Sequence, residues 1–466
     1  MKTICLLLLW GNTLLSLAQN ELTEVSLRVY GLAGNRDELP FWLIHNQLGR
    51  FSPEASWQEL TEFSLSGNYQ LNENLNLNYG TQLALSIQPK ELDPKIIQAW
   101  AGLSGHILSF KAGAFAEDLQ LGGLSSTNGD ITRSLNYRPY PKMRLSTSGF
   151  IPLFFAKSWF RVKAEYDEGI LYDERYVEKP HLHHRSYAIR FLTSHDSRLT
   201  LGINHYVFWG GTLPDGEQLP TGLRNYFRYI FGQNGNDQFL ETDQINVAGN
   251  HLGSYLVTFE KNLENHLLEF RFNHPYEDHS GMEFDNLRDN IYTIYLKKKK
   301  TGTLIDELLL EYMYTKHQSG DRHQITGPKE ERMRGMDNYF NHGVYHTGFS
   351  HMGFSMGTPL FYPLTITNEG VQDGFENNRV SVFHLGAKGF LIGRSLAWKS
   401  MLTYSRNFGT WKNPYDDMKQ QFFSLCELSL TGKNRPYTLS AQLAADFGEL
   451  RKNSVGFGLH LKRTFH

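Results

Sequence analysis

Leu75, Leu77, Tyr79, Thr81, Leu83, Leu85 and Ile87 alternate with Asn76, Asn78, Gly80, Gln82, Ala84 and Ser86. No other feature constrains the fold as much. A strict period of two belongs to an extended strand with one apolar and one polar face. Phe63, Leu65, Gly67, Tyr69 and Leu71 continue it backwards across a turn at Asn72-Glu73-Asn74, which makes a hairpin. Its strands exceed the ~5–6 residues usual in globular sheets and match the ~9–11 of a tilted bilayer crossing. The period returns at Phe160, Val162, Ala164 and Tyr166, set against Arg161, Lys163, Glu165 and Asp167. It returns again at Leu199, Leu201, Ile203, His205 and Val207, at Leu396 to Tyr404, and at Tyr437 to Phe447. Val455, Phe457, Leu459 and Leu461 form the final stripe, and the chain stops at Phe465-His466. A strand that runs to the last residue with an aromatic at its end resembles the assembly signal of outer-membrane barrels, which makes the barrel-assembly machinery an expected partner. A soluble β-sandwich could also end in a strand, but it rarely keeps one charged and one aromatic face over so many long strands.

The expected fold is therefore all-β, a transmembrane antiparallel barrel surrounded by outer-membrane lipid. Other properties of the chain agree. Lys2, the apolar run from Ile4 to Trp10 and Ser16-Leu17-Ala18 have the three regions of a cleaved signal peptide over residues 1–18. Export to the outer membrane follows. The 466 residues show no linker, low-complexity tract or repeat, so 59–466 reads as one barrel. Residues 19–58 read as a short N-terminal periplasmic or plug segment, irregular apart from a short helix near Pro40 to Leu48. Only Cys426 is left after cleavage, so no intrachain disulfide can staple the mature chain, whereas a closed sheet needs none. Net charge is −2, which gives no basic field for nucleic acid. Mean hydropathy of −0.43 suits a wall whose faces alternate. No later apolar run approaches the ~18 residues of a spanning helix.

Among enzyme motifs there is no P-loop, HExxH or EF-hand loop. Among the 19 histidines, His181 and His183 share a strand face, but no further residues complete a zinc set. Neither metal nor cofactor is expected. Ser350-His351 and Asn341-His342 have the residue types of a hydrolase without a spacing that joins them. Sugar binding asks for aromatic platforms beside amides, carboxylates, His and Arg. Four clusters carry these groups: His183, His184 and Arg185; Trp209; His274, Tyr276, Glu277 and Asp278; and Asn338, Tyr339, Asn341 and His342. The plainer reading is that such residues build turns and interfacial girdles. Strand-poor stretches at 116–142, 170–183, 210–250, 273–288 and 317–378 should be the long loops.

In the same segments the chain resembles the capsule assembly Wzi family, in its Bacteroidetes-type form. The residues that carry the likeness are Leu39-Pro40-Phe41-Trp42-Leu43, His183-His184-Arg185, Phe208-Trp209-Gly210-Gly211 and Asn250-His251-Leu252-Gly253-Ser254. They continue with His274-Pro275-Tyr276-Glu277-Asp278, Asp337 to Gly343, Gly357-Thr358-Pro359-Leu360 and Asn377-Asn378-Arg379. The resemblance implies an outer-membrane barrel of about 18 strands. It implies a non-enzymatic lectin that anchors capsular or related surface polysaccharide. Best-known members carry a periplasmic helical bundle for which residues 19–58 leave little room. A porin-like diffusion or uptake channel and a lipid-modifying barrel enzyme are the alternative expectations.

Overall fold

The computed structural model describes residues 23–465 apart from 90, 154–158, 241–243, 245–246, 278, 327–330, 369 and 432–435. The expected signal peptide and Asp278 lie outside the described residues.

Eighteen strands form one antiparallel sheet in which each pairs with its sequence neighbours. They are β1 (Thr23–Gly34), β2 (Trp57–Asn72), β3 (Leu75–Gln88), β4 (Glu91–Ser104), β5 (Leu108–Ala114) and β6 (Pro141–Thr147). Then come β7 (Phe160–Ile170), β8 (His181–Leu192), β9 (Ser197–Trp209), β10 (Asn250–Asn262), β11 (His266–Tyr276) and β12 (Asn290–Lys298). The last six are β13 (Glu307–Tyr314), β14 (Val380–Ile392), β15 (Leu396–Gly409), β16 (Pro414–Leu430), β17 (Tyr437–Gly448) and β18 (Ser454–Phe465). β1 pairs with β18 from Val25–Phe465 to Gly34–Gly456, so the sheet closes and has no edge.

This closure corrects the expected domain boundary. Thr23–Gly34 was assigned to a segment separate from the barrel, yet it is the closing strand, paired with β2 as well as β18. Val25, Leu27 and Val29 alternate with Glu24, Ser26 and Arg28, but Tyr30-Gly31-Leu32-Ala33 breaks the period after a run much shorter than that of β3. Only 35–56 behaves as a plug: α1 (Phe41–Ile44) is buried inside the barrel, with the Phe41 amide on Asp446 Oδ2 at 2.9 Å and Trp42 Nε1 on Thr403 Oγ1 at 3.1 Å.

The sequence stripes become the outer wall. Leu83, Leu85, Ile87, Leu201, Leu443, Phe457 and Leu459 are exposed, while Ser86, Glu165, Asp167, Asn204 and Ser440 point inward and are buried. Cys426 is exposed on the outer face. Connections at one end include the tight turns 73–74, 105–107, 193–196, 263–265 and 393–395 and the longer 148–159, 299–306 and 431–436, with both strand termini Thr23 and Phe465 beside them. Connections at the other end include 35–56, 115–140, 171–180, 210–249, 277–289 and 315–379. Five of these match the strand-poor stretches closely. The exception in detail is Asn273 to Tyr276, which extends β11. Pro275 is tolerated there because the ladder to β12 has ended at Asn273–Ile291.

The 115–140 loop crosses the lumen as a septum. On one side Glu117 meets Arg133, Lys142 at 2.7 Å and Arg144 at 2.9 Å. Asp130 then takes Ser254 Oγ at 3.0 Å and the Asn204 amide, and Asn273 Oδ1 accepts the Ile131 amide at 2.9 Å. On the far side Glu311 accepts Ser125 Oγ at 2.6 Å and the Ser126 amide at 3.1 Å, and Lys388 donates to Gly122 O at 2.8 Å. Gly386 lets the loop seat there, since a Cβ would lie 2.8 Å from Leu124. Residues of 35–56 and 315–379 stack on this septum through Leu48 N–Leu135 O (2.7 Å) and Thr358 N–Ile131 O (2.8 Å). Their side chains, Phe41, Trp42, Phe340, Phe349 and Phe361 among them, form one apolar core inside the loop-end half of the lumen.

Candidate functional site

Two concavities stand at the loop end. The first opens at the mouth, where 35–56 meets 315–379 over the septum. Glu38, Glu54, His45, Asn136, Phe354 and Tyr362 line it, with a volume of about 200 Å³. Asn136 Oδ1 accepts both His45 Nδ1 at 2.8 Å and the Asn46 amide at 3.2 Å. Burial lowers His45 to about 3, so its ring is neutral and Nδ1 carries the proton that it donates. Arg451 holds Glu38 at 2.9 Å and lies 5.1 Å from the Tyr362 ring. An aromatic face and two carboxylates in one cleft can stack on a sugar ring and take its hydroxyls, while the buried Asn136 amide is committed to His45, Asn46 and Ser355 O. Around the mouth, Tyr176 stacks on His346 at 4.2 Å and Arg379 lies 3.7 Å over Trp411.

The residues singled out from sequence separate by strand parity. His184 points into the lumen, 3.2 Å from Asp167 Oδ2 and stacked on Tyr206 at 4.2 Å. His183, Arg185, Trp209, His274 and Tyr276 occupy the outward parity of β8, β9 and β11. There the loops 210–249 and 277–289 fold back over the outside of the wall. The first carries α2 (Leu223–Ile230) and the second α3 (His279–Met282). His183 lies under Tyr226, with Nδ1 2.8 Å from Glu168 Oε1. Trp209 stacks on His181 at 4.3 Å, and His274 is capped by Phe284 at 5.2 Å. Tyr276 lies flat across β10, where its Oη donates to Asn204 O at 2.8 Å. That position requires Gly253, because a Cβ there would fall 2.4 Å from the ring.

Arg185, Tyr276 and Glu277 converge on the second concavity, about 220 Å³ in volume, together with Tyr187, Ile203, His205, Phe231, His251 and Met282. Arg185 Nε donates to His205 Nδ1 at 3.2 Å, and His205 Nε2 lies 3.0 Å from His251 Nδ1. The Glu277 carboxylate accepts the Phe340 amide.

Asn338, Tyr339, Asn341 and His342 do something else: they fold the 315–379 loop. Asn338 Oδ1 accepts from Asn341 at 2.9 Å and from Asn378 at 2.7 Å. Asn341 pairs with both backbone groups of Phe375, at 2.7 and 3.0 Å. Tyr339 Oη donates to Asp289 Oδ2 at 2.8 Å. Burial pushes Asp289 up to about 7 against two backbone amides that pull the other way. His342 Nδ1 accepts the Val344 amide at 3.1 Å, and burial lowers it to about 4. The Ser350 hydroxyl donates to Thr347 O at 3.0 Å, while His351 is tied to Arg138 O at 2.7 Å. No group of three acidic, His or Cys side chains able to hold a metal occurs among the described residues.

Residues 19–376 match the family described as capsule assembly protein Wzi, well over half of the chain. The chain belongs to that family. Within this Wzi-family barrel, the pieces of the sequence signature serve architecture as much as surface chemistry: Gly253 seats Tyr276, and Asn338 to His342 brace the loop that supplies Phe354 and Tyr362 to the mouth. No curated protein sequence matches the chain. Among solved structures it is similar to Pseudomonas aeruginosa OpdL, with 9% identity, 95% of this chain and 98% of that one covered, and a TM-score of 0.50. It is also similar to OccK5 (OpdH), with 10% identity, 96% and 98% covered and 0.48, and to OprD, with 8%, 95% and 94% and 0.47, both from the same organism. At these identities the likeness concerns the barrel fold alone. The sequence reading did not select Glu38, Glu54, His45, His205 or His251. The neighbours of Glu38, Glu54 and His45 come from distant loops, those of His205 and His251 from adjacent strands as well as loops, and no local spacing marks them.

Proposed function

We propose that this outer-membrane barrel attaches or organises capsular or related surface polysaccharide as a lectin-like, non-enzymatic protein, after export on a cleaved signal peptide. Family membership supports a capsule-related role. Outer-membrane barrels keep short turns on the periplasmic side and long loops outside, so the loop end faces the capsule. The observation that carries the reading is the packing of those loops. They fill the loop-end lumen with one apolar core and present the cleft of Glu38, Glu54 and Tyr362 above it. The septum and its overlying core favour attachment over the channel reading. The buried, internally bonded Ser350 and His351 favour it over the hydrolase reading.

Deletion of the protein is expected to shift capsular polysaccharide from cell-attached to shed material. On a panel of surface glycans, the purified barrel should bind at least one. Tyr362→Ala should weaken that binding about tenfold, in keeping with the loss of one stacked ring worth ~1 kcal/mol or more. Unchanged capsule retention, or binding indifferent to Tyr362, would count against the mouth as the site.

A further inference from the structure

We propose that the outer-wall pocket around Arg185 is a lateral site for the phosphorylated headgroup of an outer-leaflet lipid, with α2 lying in the membrane interface as its lip. The pocket is on the outside of the barrel. Its Tyr187 and Ile203 share outward stripes with Ile189 and Leu201, which are exposed members of the apolar belt. A ligand in the pocket therefore continues the lipid-facing surface toward the loop end.

The helix α2 supplies the second observation. Its Asn225, Tyr229 and Ile230 are buried against the wall. Leu223 and Phe227, spaced by four, face away and are 73% and 46% exposed, and Phe231 just past the helix is 60% exposed at the pocket, with the Arg185 guanidinium 5.8 Å from its ring. Large exposed apolar side chains along a short helix suit the acyl boundary rather than water. The 277–289 loop repeats the device with exposed Met282, Phe284 and Leu287.

Charge completes the argument. Arg185 commits Nε to His205, which leaves its terminal nitrogens for a ligand, and no carboxylate pairs with it among the described residues. Glu283 and Asp285 pair with Arg334, and Glu277, which also lines the pocket, accepts the Phe340 amide. A guanidinium with free terminal N–H groups matches two phosphate oxygens.

The test is native mass spectrometry of the detergent-purified full barrel exchanged with lipid A, with a phosphate-free lipid A, and with phosphatidylcholine. The unaltered protein should retain lipid A in preference to both others. Arg185→Gln should reduce that retention about fivefold, as expected for one basic side chain near an anionic surface. Arg185→Lys should reduce it less, and Phe227→Ser with Phe231→Ser should weaken all three lipids alike. Heat-modifiable gel mobility checks that each variant is folded, and the comparison of lipids on the unaltered protein needs no variant at all. Equal retention of phosphorylated and phosphate-free lipid would overturn the proposal. So would displacement of lipid A by inorganic phosphate at comparable concentration, which would mark a simple anion site.

Discussion

Glu117 shows how much one side chain can carry inside this lumen. Its buried carboxylate faces Arg133, Lys142 and Arg144, whose other partners are Glu165 and Asp167. Glu117→Gln keeps the shape and leaves a buried excess of positive charge, which should cost about 3–5 kcal/mol. Urea titration of the barrel refolded into vesicles reads this directly, and a variant as stable as the parent would show that water already solvates the cluster. His45 makes a pH prediction at the mouth. Its closed-state value of about 3 is depressed from the ordinary 6.5. An opened loop would take up the proton near 6.5, while the closed loop resists until about 3. The open state therefore binds more protons within that window, and closed-loop stability, complete above it, falls as the pH drops through it. His342, lowered to about 4, acts in the same direction. Amide exchange at 41–49 and 340–350, corrected for its intrinsic pH dependence, should quicken between pH 6.5 and 4.5. Flat protection would remove both histidines from the account.

The septum is the element that decides between a plug and a pore. Ser125 and Ser126 anchor it on Glu311 at one wall and Glu117 anchors it at the other. The intact barrel is expected to give no stepwise conductance in planar bilayers. Replacing residues 118–132 by a short Gly-Ser connection should open steps, because it removes the crossing and the Ile131 contact on which 315–379 rests. Steady channels from the unaltered protein would favour the diffusion reading instead. Elements also show what a sequence can and cannot disclose. The period of two exposed β3, β9 and β18, because one face meets lipid and the other polar groups. In β1 it holds only from Thr23 to Val29 before Tyr30 to Ala33 blur it, and it could not tell that Asn273 to Tyr276 continue a strand. The loops' lengths were legible from their Gly, Pro and Asn content. Their destinations were not: whether 115–140 turns into the lumen and 210–249 out over the wall depends on long-range partners such as Asp130–Ser254 and Tyr226–Glu168. That is why candidates drawn as one glycan-binding set are distributed among the lumen, the outer wall and the interior of a loop.

At the scale of the whole molecule, the closed sheet makes sense only if its outer face is solvated by lipid. Leu443 stands mid-strand on β17, outward and 56% exposed, among Leu439, Phe457 and Leu459. Its lumen-facing neighbour Gln442 donates to Glu427 at 2.6 Å. If the belt lies in a bilayer, Leu443→Arg places a charge near the hydrocarbon midplane and should cost about 2–4 kcal/mol. The same substitution on a water-soluble barrel would replace an exposed apolar side chain with a solvated one, at no cost or with a gain in solubility. Ser66→Arg, on the lumen parity of β2 and nearer the turn end, is the matched control. Its side chain meets a polar interior in either case, so it should shift stability far less. Reversible urea titrations in large vesicles compare the three proteins, and only the lipid-embedded barrel gives a large penalty at Leu443 with a small one at Ser66. Equal, small effects at both positions would mean that the apolar stripe does not face lipid. The periplasmic and extracellular assignment of the two ends, and every surface role built upon it, would then lose its footing.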